Sequence, residues 1–140
     1  MTPRSIRTAA FAFAVAALGA CSGGDGKDPV KPPPPPVPGQ LTVTLATPNP
    51  DDRALRATLS GPGDITAVQA AGAGYTVFSR GTGTAVNVAL FGSLGNGAVL
   101  RFSVPDVNRA AGYTASVQEV ADAGNALRSS LAGYQLVVAR

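Results

Sequence analysis

From Leu41 onward the chain alternates apolar and polar residues in short runs, each closed by residues that turn the backbone. Leu41, Val43 and Leu45 alternate with Thr42 and Thr44, the period of two expected of a strand buried on one face. Pro48-Asn49-Pro50-Asp51-Asp52 predicts a turn. Leu55, Ala57 and Leu59 then alternate with Arg56, Thr58 and Ser60, before Gly61-Pro62-Gly63 breaks the chain again. Val86, Val88 and Leu90 alternate with Asn87 and Ala89. The loop Gly92 to Gly97 follows, where Asn96-Gly97 can supply positive φ angles. Tyr75–Ser79, Val99–Val104, Tyr113–Val120 and Tyr134–Ala139 read as further strands. Ile65–Ala71 stays open between a strand and a helical turn. Pro105–Arg109 reads as a turn or a short helix start capped by Asp106. About seven to nine short strands at near-regular spacing, with no amphipathic helix and no internal repeat, predict an all-β chain. The expected architecture is a single antiparallel β-sandwich over residues 40–140.

Ahead of the strands the pattern changes twice. Arg4 and Arg7 precede a wholly apolar stretch from Ala9 to Leu18, and no acidic residue occurs before Asp25. A positive start, a short apolar core and small residues after it are the parts of a secretory signal. The apolar core is about 10 residues, half of the ~20 that a spanning helix needs. It ends in Leu18-Gly19-Ala20-Cys21, which holds the only cysteine of the chain. A branched apolar residue, two small residues and cysteine in this order resemble the lipobox of bacterial lipoproteins. The resemblance covers the export segment alone. It implies cleavage after residue 20, a diacylglyceryl group on Cys21 and an acylated new amino terminus. Two or more acyl chains anchor a protein stably, at about 0.8 kcal/mol per buried CH2, so membrane lipid is the expected partner of Cys21. Ser22 stands where aspartate favours inner-membrane retention in Gram-negative lipoproteins and is compatible with transfer to the outer membrane, which is favoured if the host is Gram-negative.

Residues 21–39 then form a lipidated terminus and a linker. Its first half is glycine-rich and flexible. Its second half, Pro32 to Pro38, should run as polyproline II at ~3.1 Å per residue. Proline runs also serve as ligands for aromatic-lined grooves. Next to a lipid anchor the simpler meaning is a stiff spacer.

Charge adds little. Removing Arg4 and Arg7 leaves nine Lys and Arg against eight Asp and Glu. The remaining arginines, from Arg53 to Arg140, are scattered singly and read as isolated solvated charges. Nucleic-acid binding needs a clustered basic face, so no nucleic-acid partner is expected. With Cys21 committed to lipid, no internal disulfide can form, and the core alone must hold about 100 residues together.

The chemistry on offer is narrow. The chain has no histidine, which removes histidine triads, histidine metal sites and the usual neutral-pH proton shuttle. The only lysines, Lys27 and Lys31, sit in the linker and cannot activate a serine. Glycoside hydrolysis would need two carboxylates about 5 to 10 Å apart in a cleft. The candidates are Asp51, Asp52, Asp64, Asp106, Glu119 and Asp122, several of them in turns, where aspartate usually bonds its own backbone. Asn49, Asp51 and Asp52, with Asp106 and Asn108, could ligate calcium only if their loops share one end of the sandwich. No cofactor and no resident metal are expected. Among the aromatics, Phe91 and Phe102 lie in apolar runs and read as core. Tyr75 and Phe78 flank glycine-rich turns and are the candidate ligand platform.

Over residues 41–139 the texture of apolar strands and glycine-rich loops resembles cohesin and carbohydrate-binding-module sandwiches. The resemblance is one of style, without a diagnostic motif, so no functional residue carries over. The expectation is a non-enzymatic envelope lipoprotein whose sandwich serves protein binding, adhesion or assembly. The alternative is a surface-tethered carbohydrate-binding module, which coplanar exposed aromatics would favour.

Overall fold

A computed structural model describes residues 31–140. The lipobox Leu18-Gly19-Ala20-Cys21, the signal segment 1–20 and the glycine-rich part of the linker lie outside the described residues. Eight strands follow one another: β1 (Gly39–Ala46), β2 (Asp52–Ser60), β3 (Thr66–Ala70), β4 (Tyr75–Arg80), β5 (Ala85–Gly92), β6 (Gly97–Val104), β7 (Thr114–Asp122) and β8 (Gln135–Ala139). Two 3₁₀ turns over Val107–Gly112 join β6 to β7. The Ile65–Ala71 segment, open in the sequence, is the edge strand β3.

The strands form two four-stranded sheets, β3-β6-β1-β8 and β4-β5-β2-β7, and every pairing is antiparallel. The chain is an all-β sandwich. Its pairs β4·β5, β3·β6, β2·β7 and β1·β8 are those of one long hairpin with β4–β5 at the tip, folded over so that successive strands of each arm fall in opposite sheets. This register gathers the loops 47–51, 71–74, 93–96 and 123–134 at one end. The 3₁₀ turns and the loops 61–65 and 81–84 lie at the other. The compact unit runs from Pro34 to Arg140, so it includes Pro34–Pro38, which composition assigns to the linker.

Alternation places the core as the sequence implies. Leu41, Val43 and Leu45 of β1 and Leu100, Phe102 and Val104 of β6 face Leu55, Ala57 and Leu59 of β2 and Val86, Val88 and Leu90 of β5; all are buried. One departure from period two comes from a bulge. Opposite the Val43/Thr44 step the register skips Val99, and consecutive Val99 and Leu100 are both buried. Phe102 packs against Tyr113 with ring centroids 5.9 Å apart. Tyr113 in turn packs on Gly61, where an added Cβ would fall 2.0 Å from the ring, so only glycine fits. Among the described residues no helix is long and apolar enough to cross a membrane.

Phe102 is fully buried and touches both the sheet core and the 3₁₀ end. Phe102→Ala is expected to cost about 3–5 kcal/mol, seen as a lower denaturant midpoint at unchanged slope. Thr44→Ala, on the solvent face of β1, should shift stability by less than about 0.5 kcal/mol.

Candidate functional site

The two outer faces of the sandwich differ in chemistry. That of β3-β6-β1-β8 presents Thr42, Thr44, Arg101 and Ser103. The outer face of β4-β5-β2-β7 is aromatic and alanine-rich. Register sets its rows: Phe91, Ala54 and Ala121 lie side by side, and beside them Phe78, Ala89, Arg56 and Glu119. Phe78 is 63% exposed and Phe91 44% exposed, and their rings meet edge to face at 6.0 Å and 75°. Leu127, from the β7–β8 loop, is 66% exposed and borders the same patch. The small side chains of Ala54, Ala89 and Ala121 leave a shallow floor between these walls. Arg56 crosses the floor to Glu119 at 3.2 Å. Both partners are well exposed, so the pair contributes at most about 1 kcal/mol to stability. Thr58 donates to Asn87 at 3.0 Å on the neighbouring row.

The structure corrects the aromatic assignments made from sequence. Tyr75 and Phe78 stand three apart on one strand and so point to opposite faces. Tyr75 is half-buried against the core, and the partner of Phe78 is Phe91. Phe91 is not a core residue. The inward set Val86, Val88 and Leu90 already implied that residue 91 faces outward. The apolar run Ala89-Leu90-Phe91 masked that implication.

A second cluster lies at the β1–β2 end. Asp52 opens β2 and is fully buried. Its Oδ2 accepts from Thr47 Oγ1 at 2.6 Å and Tyr134 OH at 2.8 Å, and its Oδ1 accepts from Arg128 Nε at 2.9 Å. Asn49 Nδ2 donates to the Tyr134 hydroxyl at 2.8 Å. Arg128 also pairs with Asp51 and stands 3.8 Å from Asp122. Burial raises the Asp52 pKa, but bonds from Thr47, Tyr134 and Arg128 and the Arg128 charge outweigh it. They hold the carboxyl below its ordinary range. The bond to Asp52, with that to Asp51 and the charges of both carboxylates, raises the affinity of Arg128 for its proton. Arg128 is therefore no isolated solvated charge. Nothing local in the sequence marks it, because 76 positions separate it from Asp52.

This cluster is a structural pin that ties the β7–β8 loop to the sandwich. The carboxylates it gathers, of Asp51, Asp52 and Asp122, are directed at Arg128. The calcium set does not assemble: Asn49, Asp51 and Asp52 lie at one end of the sandwich, Asp106 and Asn108 at the other. Among the described residues no group of three or more His, Cys, Asp or Glu is arranged to hold a metal. Asp122 accepts from the backbone of Gly124 and Ala126, and Asp106 from that of Asn108, as turn aspartates are expected to do. No family model, no curated protein and no solved structure matches this chain.

Because the folded-state pKa of Asp52 is depressed, its stabilising contribution is present above the unfolded aspartate pKa, and it is lost as pH falls through the folded value. Between about pH 5 and pH 2, Asp52→Asn should flatten the acid dependence of stability measured by denaturant unfolding. Arg128→Ala leaves a buried carboxylate short of its cation and should cost about 3 kcal/mol at neutral pH.

Proposed function

We propose that this chain is a cell-envelope lipoprotein whose β-sandwich docks a partner protein through the outer face of β4-β5-β2-β7. The observation that carries the docking reading is the solvent-facing Phe78–Phe91 pair over the alanine floor, with Arg56 beside it. Aromatic residues and arginine are the types enriched in protein interfaces and among their energetic anchors. Sugar rings stack on flat aromatic faces, and rings crossed at 75° form no coplanar platform. This favours a protein over a glycan. The anchoring half of the proposal rests on the Leu18-Gly19-Ala20-Cys21 sequence and the proline-rich spacer after it. In a Gram-negative host, Ser22 favours the outer membrane. A non-enzymatic role is supported by the absence of histidine from the chain and by the occupation of the clustered carboxylates by Arg128.

Detergent phase partitioning tests the anchor. The wild-type chain should enter the detergent phase, and Cys21→Ser should shift it to the aqueous phase; equal partitioning of both overturns lipid attachment. Docking is tested by crosslinking in intact envelopes. Phe78→Ser with Phe91→Ser should lower the yield of a defined crosslinked partner by about tenfold or more, while Thr42→Ser with Thr44→Ser on the opposite face leaves it unchanged. Equal losses in both variants sink the assignment of the face. Specific glycan binding abolished by the two phenylalanine substitutions would replace the protein partner by a carbohydrate.

A further inference from the structure

The folded unit begins before its first strand. At Val37, near the end of the proline-rich segment, the backbone N–H donates to Asp106 Oδ1 at 3.1 Å, and the carbonyl accepts from Val107 N at 2.8 Å. The same Asp106 oxygen caps the 3₁₀ turns by accepting from Asn108 N at 3.0 Å. Two residues on, Gly39 lies so close to Val107 that an added Cβ would sit 2.8 Å from Cγ1. The chain therefore lies against the 3₁₀ turns before it enters β1. Proline has no N–H, and Val37 is the one residue between Pro32 and Pro38 that has one to donate.

We propose that Asp106 and Val107 form a clamp that fixes the chain to the sandwich at Val37, so that Pro34–Pro38 and the domain turn as one body. The clamp stands on these contacts alone. The Val37 N–H is the largest influence on the Asp106 carboxyl and holds it below its ordinary range; Arg109 adds to this in the same direction.

Backbone ¹⁵N relaxation on the full chain in detergent micelles tests the clamp. In the wild type, Val37 should be as ordered as Thr42, with an order parameter of about 0.85. Asp106→Ala should drop Val37 below about 0.6 and leave Thr42 and Phe102 unchanged, and Asp106→Asn, which keeps an acceptor oxygen, should restore it. A purely local cap would loosen Asn108 and spare Val37. If Asp106→Ala unfolds the turns, Val107→Pro removes the other bond at a position where proline suits a helix start, since Asp106 already has φ −151° and ψ 105°. A mobile Val37 in the wild type overturns the clamp, as does a Val37 equally rigid in both variants. Because lipidation does not enter this readout, failure of the clamp and failure of the anchor remain distinguishable.

Discussion

Burial of one face of each sheet against the other is the interaction on which the rest of this molecule depends. Leu41, Val43, Leu45, Phe102 and Leu100 on one side, with Leu55, Leu59, Val86, Val88 and Leu90 on the other, have almost no contact with water. Each such side chain contributes about 1.5–3 kcal/mol when withdrawn from solvent. The described domain has no cysteine and therefore no disulfide to help. Since a strand shows its side chains alternately to two faces, committing one set to the core commits the other to solvent. Phe78, Phe91, Arg56 and Glu119 stand outside for that reason, and the outer face of β4-β5-β2-β7 acquires its character as the complement of the core.

The two polar clusters do different work at opposite ends. At the β1–β2 end, Asp52 is buried yet bonded by Thr47, Tyr134 and Arg128, so the long loop between β7 and β8 is held by these bonds as well as by Leu131 and Tyr134 packing on the core. A carboxylate withdrawn from water needs such partners, and here they come from two separate segments of the chain, the β1–β2 loop and the β7–β8 loop. At the other end, Asp106 bonds both to the turn it caps and to the segment that leads into β1. One pin orders a loop, and the other joins the domain to what precedes it.

Much of the fold was legible because periodicity is a local property. The alternations at Leu41–Leu45, Leu55–Leu59 and Val86–Leu90 became β1, β2 and β5 with the inward residues on the expected side. The Asp106 cap was legible too, since a side chain that bonds the backbone two residues on needs no tertiary partner. The candidate site was less so. Tyr75 and Phe78 drew notice for their glycine neighbours, yet their spacing of three puts them on opposite faces. Phe91 was hidden in an apolar run although its phase placed it outside. Arg128 carried no local mark at all.

What the sequence determined by itself was therefore most of the strand content, the inward sets of β1, β2 and β5 and, in Leu18-Gly19-Ala20-Cys21, a resemblance to an export and anchoring signal. These are encoded over a few neighbouring residues. Tertiary structure alone decided which outward residues would meet. Phe78 reaches Phe91 because β4 pairs with β5, Arg56 reaches Glu119 because β2 pairs with β7, and Arg128 reaches Asp52, 76 positions away, because β7 ends beside the start of β2. Such meetings depend on strand order and register, which arise only when distant segments bury a common core.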